Sequence, residues 1–205
     1  MALTFRSSDY ANPGSSKTLT VTKPAGTAAG DLLVAVVQGG GENYAAPAGW
    51  TVMQALDLSM FCYKIAGGSE PASYVWGTNL NFYSWAGGIA CFTNVDNHTP
   101  LGASGINSAA GSAAAYPSVA VRGGALVVAC CTATFNSGNG IGDPSGYTVP
   151  FDIASPGAEE AQLAYKLNAA TGAQQPPQPG IGGSIASSYT YTAWFYQIDQ
   201  KQNVL

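Results

Sequence analysis

The chain has 205 residues and a formal net charge of −4, and only 9% of its residues are Asp, Glu, Lys or Arg, against about 25% in an ordinary soluble domain. This length fits a single domain whose core needs no metal or disulfide to hold it. The negative net charge and the lack of a basic patch argue against a nucleic-acid partner.

The first half of the chain predicts short strands separated by turns. "KTLTVTK" alternates polar and apolar residues, which is typical of a half-buried strand, and "DLLVAVVQ" is a short apolar run typical of a core strand. Further strands are predicted in "WTVMQAL", "SMFCYKIAG", "SYVWGT" and "GGIACFTNV". Short strands rich in Val, Tyr and Trp, at intervals of roughly ten residues, indicate an all-β sandwich or barrel.

The second half repeats this order of strands. "PSVAVRGG", "ALVVACCTATF", "YTVPFDI", "AQLAYKLNAA" and "AWFYQID" match successive elements of the first half. One half alone would leave an apolar face open, so the two halves are expected to bury each other. The prediction is one all-β domain over 1–205, a jelly-roll-like β-sandwich built from repeated halves at about 17–97 and 116–200.

One phrase occurs in both halves, as "PAGWTV" at 47–52 and "PSGYTV" at 144–149. It predicts a turn that leads into a strand, in which proline presets the backbone and glycine takes a positive φ. Trp50 and Tyr147 are then structural anchors that fix the start of the strand in the core. The alternative is that these two aromatic residues belong to a ligand site.

Two segments of the second half depart from the simple strand pattern. "GAEEAQLAYKLNAA" contains strong helix formers, but its apolar residues alternate and its counterpart "MFCYKIAGG" is a poor helix sequence, so a strand is predicted. "QQPPQPG" from Gln174 is similar to polyproline and predicts an exposed loop, inserted relative to the first half.

The cysteines indicate buried free thiols in a reducing compartment. Cys62, Cys91, Cys130 and Cys131 all lie inside apolar runs, and adjacent Cys130 and Cys131 should point to opposite faces of a strand. The N-terminus shows no signal-peptide pattern, and no apolar run reaches the length of a membrane span.

The sequence offers few groups for catalysis. His98, beside Asp96, is either a catalytic base or a polar turn residue between the halves, and the turn is favoured because no hydrolase motif accompanies this single histidine. Carboxylates lie close together in the second half, but their spacing matches no calcium loop: Asp143, Asp152, Glu159 and Glu160. No catalytic residue, cofactor or metal is expected.

Aromatic residues are concentrated in "SYVWGTNLNFYSW". Trp76, Tyr83 and Trp85 are the candidate contact residues of this segment. Some of them are expected in the core and the rest at a contact between subunits. The alternative is that exposed members stack on sugar rings and bind a glycan.

Several phrases together resemble a known module. "KPAGTAAGDLLVAVV", "PAGWTV", "YKIAGGSEPASYVW" and "GGIACFTNVD" are similar to a β-sandwich module of tailed bacteriophages and bacteria, over Lys17 to Asp96 and more weakly beyond. The module occurs in virion proteins, including capsid decoration (cement) proteins and tail or fibre parts, and in extracellular bacterial proteins. It usually has glycine before the Val-Asp pair, where this chain has Asn94. The resemblance implies no catalytic residue.

These observations predict a structural virion protein without enzymatic activity, a capsid decoration protein that binds and stabilises the phage head shell. The alternative is a tail, fibre or extracellular module that binds glycans. The expected partners are the major capsid protein and other copies of the chain, with a homotrimer as the first expectation because shell lattices offer three-fold positions. Neither nucleic acid nor a membrane is expected as a partner, and the expected location is the virion, after assembly in the host cytoplasm.

Overall fold

A computed structural model describes most of the chain as strands. The described residues are 2–39, 45–56, 58–77, 83–111, 114–137, 140–180 and 182–198, with the backbone alone at Tyr83 and Ser137. They form fourteen strands and no helix, which confirms the predicted all-β class.

The first half of the chain supplies seven strands. In chain order they are β1 (Thr4–Ser16), β2 (Thr18–Thr22), β3 (Leu32–Gly39), β4 (Thr51–Leu56), β5 (Ser59–Ile65), β6 (Ser73–Gly77) and β7 (Tyr83–Thr93).

The second half supplies seven more. They are β8 (Leu101–Ala110), β9 (Val119–Val121), β10 (Ala125–Ser137), β11 (Thr148–Ala154), β12 (Glu159–Ala169), β13 (Gly172–Gln174) and β14 (Ser184–Phe195).

The two halves have the same strand topology. The first sheet has the order β1-β7-β3-β5-β4, and the second sheet, counted from its β8 edge, has the order β8-β14-β10-β12-β11. Each half also contains a two-stranded sheet, formed by β2 and β6 in one half and by β9 and β13 in the other. Each strand of the first half therefore has one counterpart in the second, and the predicted repeat is confirmed.

The hydrophobic core is arranged in layers. The inner faces of the two five-stranded sheets pack together in a central core, to which Val34 and Phe61 contribute from one half and Val128 and Leu163 from the other. The outer face of the first sheet is covered by the β2–β6 pair, with Trp76 packed in that cluster. Two clusters cover the outer face of the second sheet. Because the central core belongs to both halves, they form a single sandwich.

The contact between the halves is approximately two-fold symmetric. Tyr63 of the first half meets Phe195 of the second at 5.6 Å between ring centres and 71° between planes. Tyr165, the counterpart of Tyr63, meets Phe92, the counterpart of Phe195, at 5.2 Å and 79°. Each half thus presents the same pair of residues to the other, as identical subunits do in a symmetric dimer.

The repeated turn has the predicted geometry in both places. The N–H of Trp50 donates to the carbonyl of Pro47 at 3.2 Å, and the N–H of Tyr147 donates to that of Pro144 at 3.1 Å. The glycine of each turn has a positive φ, 83° at Gly49 and 78° in its counterpart. A strand follows immediately in each half.

The strands β1 and β8 are missing from the sequence prediction. They are counterparts at the same edge of their sheets, and β1 pairs with β7 as β8 pairs with β14. The halves therefore begin at Thr4 and Leu101, earlier than the predicted boundaries at 17 and 116. β1 contains mostly polar residues and β8 is rich in Ala, Gly and Ser, so both carry little of the apolar alternation from which the other strands are predicted.

The other local predictions have mixed outcomes. The segment with helix-forming composition is strand β12, as predicted. "QQPPQPG" has no regular structure beyond Gln174, but Pro176 and Pro179 are buried and the side chain of Gln175 donates to the carbonyl of Tyr116 at 2.9 Å. The loop is therefore partly packed on the sandwich, which corrects the expectation of a fully exposed loop.

All four cysteines are free and buried, as predicted. Cys130 lies in the central core, and adjacent Cys131 lies in the cluster on the outer face of the same sheet. Burial raises the pKa of Cys62 and Cys91 to about 12, and that of the other two thiols even further. These thiols are therefore neutral and packed as small apolar groups.

Candidate functional site

Two of the three aromatic residues predicted as contacts, Trp76 and Trp85, lie in the core. Trp76 and Trp85 have no exposed surface, and the indole N–H of Trp85 donates to the carbonyl of Ser16 at 3.0 Å. Neither residue can touch a partner or a sugar in this conformation, which corrects their candidate role. The side chain of Tyr83 lies outside the described part of the chain.

The anchors Trp50 and Tyr147 pack in equivalent places but to different depths. Trp50 is 8% exposed and lies edge-on to Tyr74 at 5.1 Å and to Trp76 at 5.5 Å. Tyr147 is half-buried between the two clusters on the outer face of the second sheet, with the ammonium of Lys166 5.9 Å from its ring centre. Both residues contact the chain itself, which is consistent with the predicted anchoring.

His98 is an exposed residue of the turn between the halves. Its backbone N–H donates to Asp96 Oδ1 at 2.8 Å, and the N–H of Thr99 donates to the same oxygen at 3.3 Å. The bond from the His98 N–H, with those from Thr99, holds the pKa of Asp96 below its ordinary value. The carboxylate therefore stabilises the turn through backbone donors, which agrees with the turn interpretation of His98.

Asn94 is in the left-handed region, with φ at 62°. Glycine adopts this conformation without strain, and asparagine is among the few other residues that tolerate it. This departure from the resembled module thus falls where the backbone has a positive φ, and asparagine can supply it. Its side chain also donates to the carbonyl of Ala2 at 2.7 Å.

Two carboxylates are neutralised by neighbouring cations. Asp31 accepts from Arg6 Nε at 2.8 Å, and Glu70 forms an ion pair of 2.8 Å with Lys64. Burial alone would raise the pKa of Glu70, but hydrogen bonds from Lys64 and from the N–H of Gly67 hold it below its ordinary value. These pairs remove charge from a surface that already carries little.

An acidic cluster lies where the loop before β11 meets β11 and β12. Glu160 is buried, and its Oε1 accepts from the N–H of Ile141 at 2.8 Å, while its buried Oε2 has no hydrogen-bond partner in the described structure. The amide nitrogen of buried Gln162 donates to the Ile141 carbonyl at 3.0 Å and to Asp143 Oδ1 and Asp152 Oδ2 at 3.3 Å each. This network places two carboxylates, Asp143 and Asp152, on a single amide, and Glu160 is bound to the same loop through Ile141.

The acidic cluster raises one pKa strongly. Burial and then the neighbouring carboxyl group of Glu160 and its charge raise the pKa of Asp152 to about 8. A proton shared between these two carboxyl groups would give Glu160 Oε2 a partner. Glu159 points the other way and accepts from Ser155 Oγ at 2.9 Å. Among the described residues, no three His, Cys, Asp or Glu side chains are grouped so that they could hold a metal ion.

A buried polar network crosses the central core. Gln38 bonds to Ser59 through its carbonyl and donates to Thr134 Oγ1 at 2.9 Å, and Ser59 bonds to Thr132 Oγ1 at 2.8 Å. The network joins strands of both halves and satisfies groups that would be costly to bury alone. It fixes how the two sheets sit on each other rather than forming a binding site.

The sheet edges differ in how their backbone is shielded. Side chains of β1 reach across to β11, where Ser8 Oγ donates to the carbonyl of Pro150 at 3.2 Å and Asn12 Nδ2 donates to that of Ala154 at 2.9 Å. The edges formed by β1, β4 and β11 also have interrupted registers. β8 pairs with β14 without interruption from Ser104 to Ala110.

The β8 edge is the feature that the sequence reasoning missed. A signal was available: Leu101–Ala110 contains no charged residue and no proline. Edge strands of soluble proteins ordinarily contain such residues or a bulge, because these block pairing with another chain.

Comparisons with protein-family models, with curated proteins and with solved structures gave no match. A search of the described residues for a helix of the length and apolarity needed to cross a membrane also found none.

Proposed function

We propose that this protein is a structural component of a phage virion, a capsid decoration protein that binds the assembled head shell and stabilises it. The observation that carries the proposal is the resemblance of Lys17–Asp96 to the virion module. This segment folds as the continuous series β2 to β7, and the turn at 47–50 has the same geometry in both halves. The proposal includes the major capsid protein as partner and the virion as location.

The surface of the protein favours contact with other proteins. The chain has 7 basic and 11 acidic residues, and four of these 18 are engaged in the two ion pairs. Few charges would therefore lose water when the surface is covered, which lowers the cost of a broad contact. Self-association belongs to the same proposal, and the homotrimer expected from shell symmetry stays a prediction.

The glycan-binding alternative has less support. Sugar recognition through stacking needs exposed aromatic rings, and Tyr10 is the one aromatic side chain that stands largely in solvent among the described residues, at 53% exposure. The two tryptophans that suggested this alternative are buried. A tail or fibre role through other contacts remains the second candidate function.

The test uses phage with and without the gene for this protein. A decoration protein should co-purify with virions at a copy number in fixed ratio to the shell protein. Its removal should leave assembled heads that lose DNA at lower temperature or after osmotic shock, and added protein should restore them. Heads of unchanged stability, on phage that fail to adsorb to host cells, would contradict the proposal and support the tail role.

A further inference from the structure

We propose that the β8 edge is a self-association surface, at which β8 pairs antiparallel with β8 of a second copy across a two-fold axis. This inference does not depend on the shell role. The occupant is a second copy of this chain, and the contact consists of main-chain hydrogen bonds along Ser104–Ser108 of both copies.

The β8 main chain has unpaired hydrogen-bonding groups along one side. An edge strand uses half of its N–H and C=O groups in its own sheet and directs the other half outward. β8 pairs with β14 on one side, and in the described structure no main-chain hydrogen bond joins Leu101–Ala110 to another strand on the other side. The Asn107 side chain donates to the carbonyl of Ala115 at 2.8 Å, which leaves the β8 main chain unpaired on that side. A second antiparallel strand would satisfy these groups, as in β-strand addition.

The four edges of the two five-stranded sheets differ in the features that block strand pairing. The β11 edge contains Pro150 and Asp152, and the β1 edge contains Pro13 together with Arg6 and Asp9. The β4 edge has only six residues, and a register shift between Val52 and Gln54 interrupts it. Each of these three edges carries a feature that prevents strand pairing. β8 has one register shift near its start, between Leu101 and Ser104, and its remaining residues, Ser104–Ala110, carry no such feature.

The lack of charge in β8 favours a second copy of β8 as the pairing strand. Pairing about a two-fold axis places identical strands opposite each other, so any charged residue would be set near a like charge. β8 has no charged residue, and its exposed side chains at Ser104, Asn107 and Ser108 are small enough for a second backbone to approach closely. In a register centred on Ile106, Ser104 lies opposite Ser108 of the second copy.

The geometry also limits the assembly to two copies. Pairing at β8 would join the two second-half sheets into one continuous sheet, whose ends would both be β11 strands. Pro150 and Asp152 protect those ends from further pairing. The species expected in free solution is therefore a closed dimer and not a fibre, whereas the predicted homotrimer rests on the three-fold positions of an assembled shell.

The experiment measures mass by light scattering over a dilution series of the full chain. The expected mass of the wild-type protein is twice 20.8 kDa at high concentration. Ser104→Lys/Ser108→Lys should raise the dimer Kd by about tenfold, because lysines of the two copies then face each other. Ser104→Glu/Ser108→Glu should do the same, and a mixture of the two variants should recover the dimer.

The matched control is Tyr10→Lys, an exposed position on the protected β1 edge, which should leave the dimer unchanged. Recovery by the mixture is specific to strand pairing, since two merely destabilised variants would not rescue each other. If the lysine variant fails to fold, hydrogen exchange of the wild-type protein tests the proposal instead. The exchange of the β8 amides should become slower as the protein concentration rises, and that of the β4 amides should not change. A monomer at every concentration, a trimer, or a dimer insensitive to both variants would overturn the proposal.

Discussion

At the scale of single residues, the most unusual group is the Asp152 carboxyl. Glu160 next to it is buried and has no cationic partner among the described residues, and Gln162 supplies one amide to the cluster. Two carboxylates this close cannot both remain charged at low cost, so one of them holds a proton near neutral pH. The same group gives the protein a predictable dependence on pH.

The first prediction concerns Asp152→Asn. The folded protein keeps a proton on Asp152 up to about pH 8, whereas the unfolded chain releases it near pH 4. Between these values the folded state binds more protons, so the free energy of unfolding should fall as pH rises. Asp152→Asn should flatten this fall, which denaturant unfolding at about pH 5 and about pH 9 would measure.

A matched control for that prediction is Asp9→Asn, whose carboxylate accepts from the N–H of Tyr10 at 2.7 Å and lies outside the cluster. It should leave the pH dependence as in the wild type. An unchanged fall in the Asp152 variant would show that this carboxyl does not carry the effect.

The second prediction concerns the turn between the halves. His98→Ala should leave the free energy of unfolding within about 0.5 kcal/mol of the wild type, because the residue contributes its backbone N–H and not its ring. Asp96→Ala should cost about 1 kcal/mol, since two backbone donors lose their acceptor. Thermal unfolding of both variants checks the order, and a larger loss for His98→Ala would refute the turn role.

At the scale of elements, the repeated turn provides a test within one molecule. Gly49 and Gly146 both have a positive φ, where an added side chain costs about 1–2 kcal/mol. A Cβ at Gly49 would also lie 3.2 Å from Lys64 Nζ, whereas a Cβ at Gly146 would meet nothing within 4 Å. The third prediction is that both alanine variants are destabilised and Gly49→Ala is destabilised more.

The control for the turn is Gly68→Ala, which has no positive φ and no atom within 4 Å of the added Cβ. It should change the midpoint of denaturant unfolding very little. Equal midpoints for Gly49→Ala, Gly68→Ala and the wild type would contradict the assigned turn geometry.

How well an element could be predicted from sequence depended on what stabilises it. Core strands such as Leu32–Gly39 are buried on both faces, so a continuous run of apolar residues predicts them. The edge strands β1 and β8 depend on main-chain pairing with β7 and β14, and any residue except proline can supply both bonds. The apolar pattern therefore did not predict β1 and β8, and the edge proposed for self-association was missed with β8.

The same limit explains the outcome for the aromatic segment. The sequence shows that Trp76 and Trp85 lie near each other along the chain, but not which face of each strand is covered. The outer face of the first sheet lies under the β2–β6 pair, so residues that resemble a surface cluster are core residues. A second layer on a sheet face arises from tertiary packing, which local periodicity does not report.

At the scale of the whole molecule, the halves depend on each other. Each has its own outer cluster, but the central core is made from both inner faces, including Phe61 and Phe92 from the first half. The paired contacts of Tyr63 with Phe195 and Tyr165 with Phe92 are those of a symmetric dimer held in one chain. A half that unfolds exposes the apolar inner face of the other.

The last prediction is therefore that the two halves unfold in a single transition. Three of the four tryptophans, Trp50, Trp76 and Trp85, lie in the first half, so fluorescence of a Trp194→Phe variant reports that half alone, while far-ultraviolet circular dichroism reports both. The two signals should give the same denaturant midpoint, because loss of either half removes the partner surface of the central core. Separate midpoints would mean that each half is stable with its inner face in water, and the single-sandwich description would then fail.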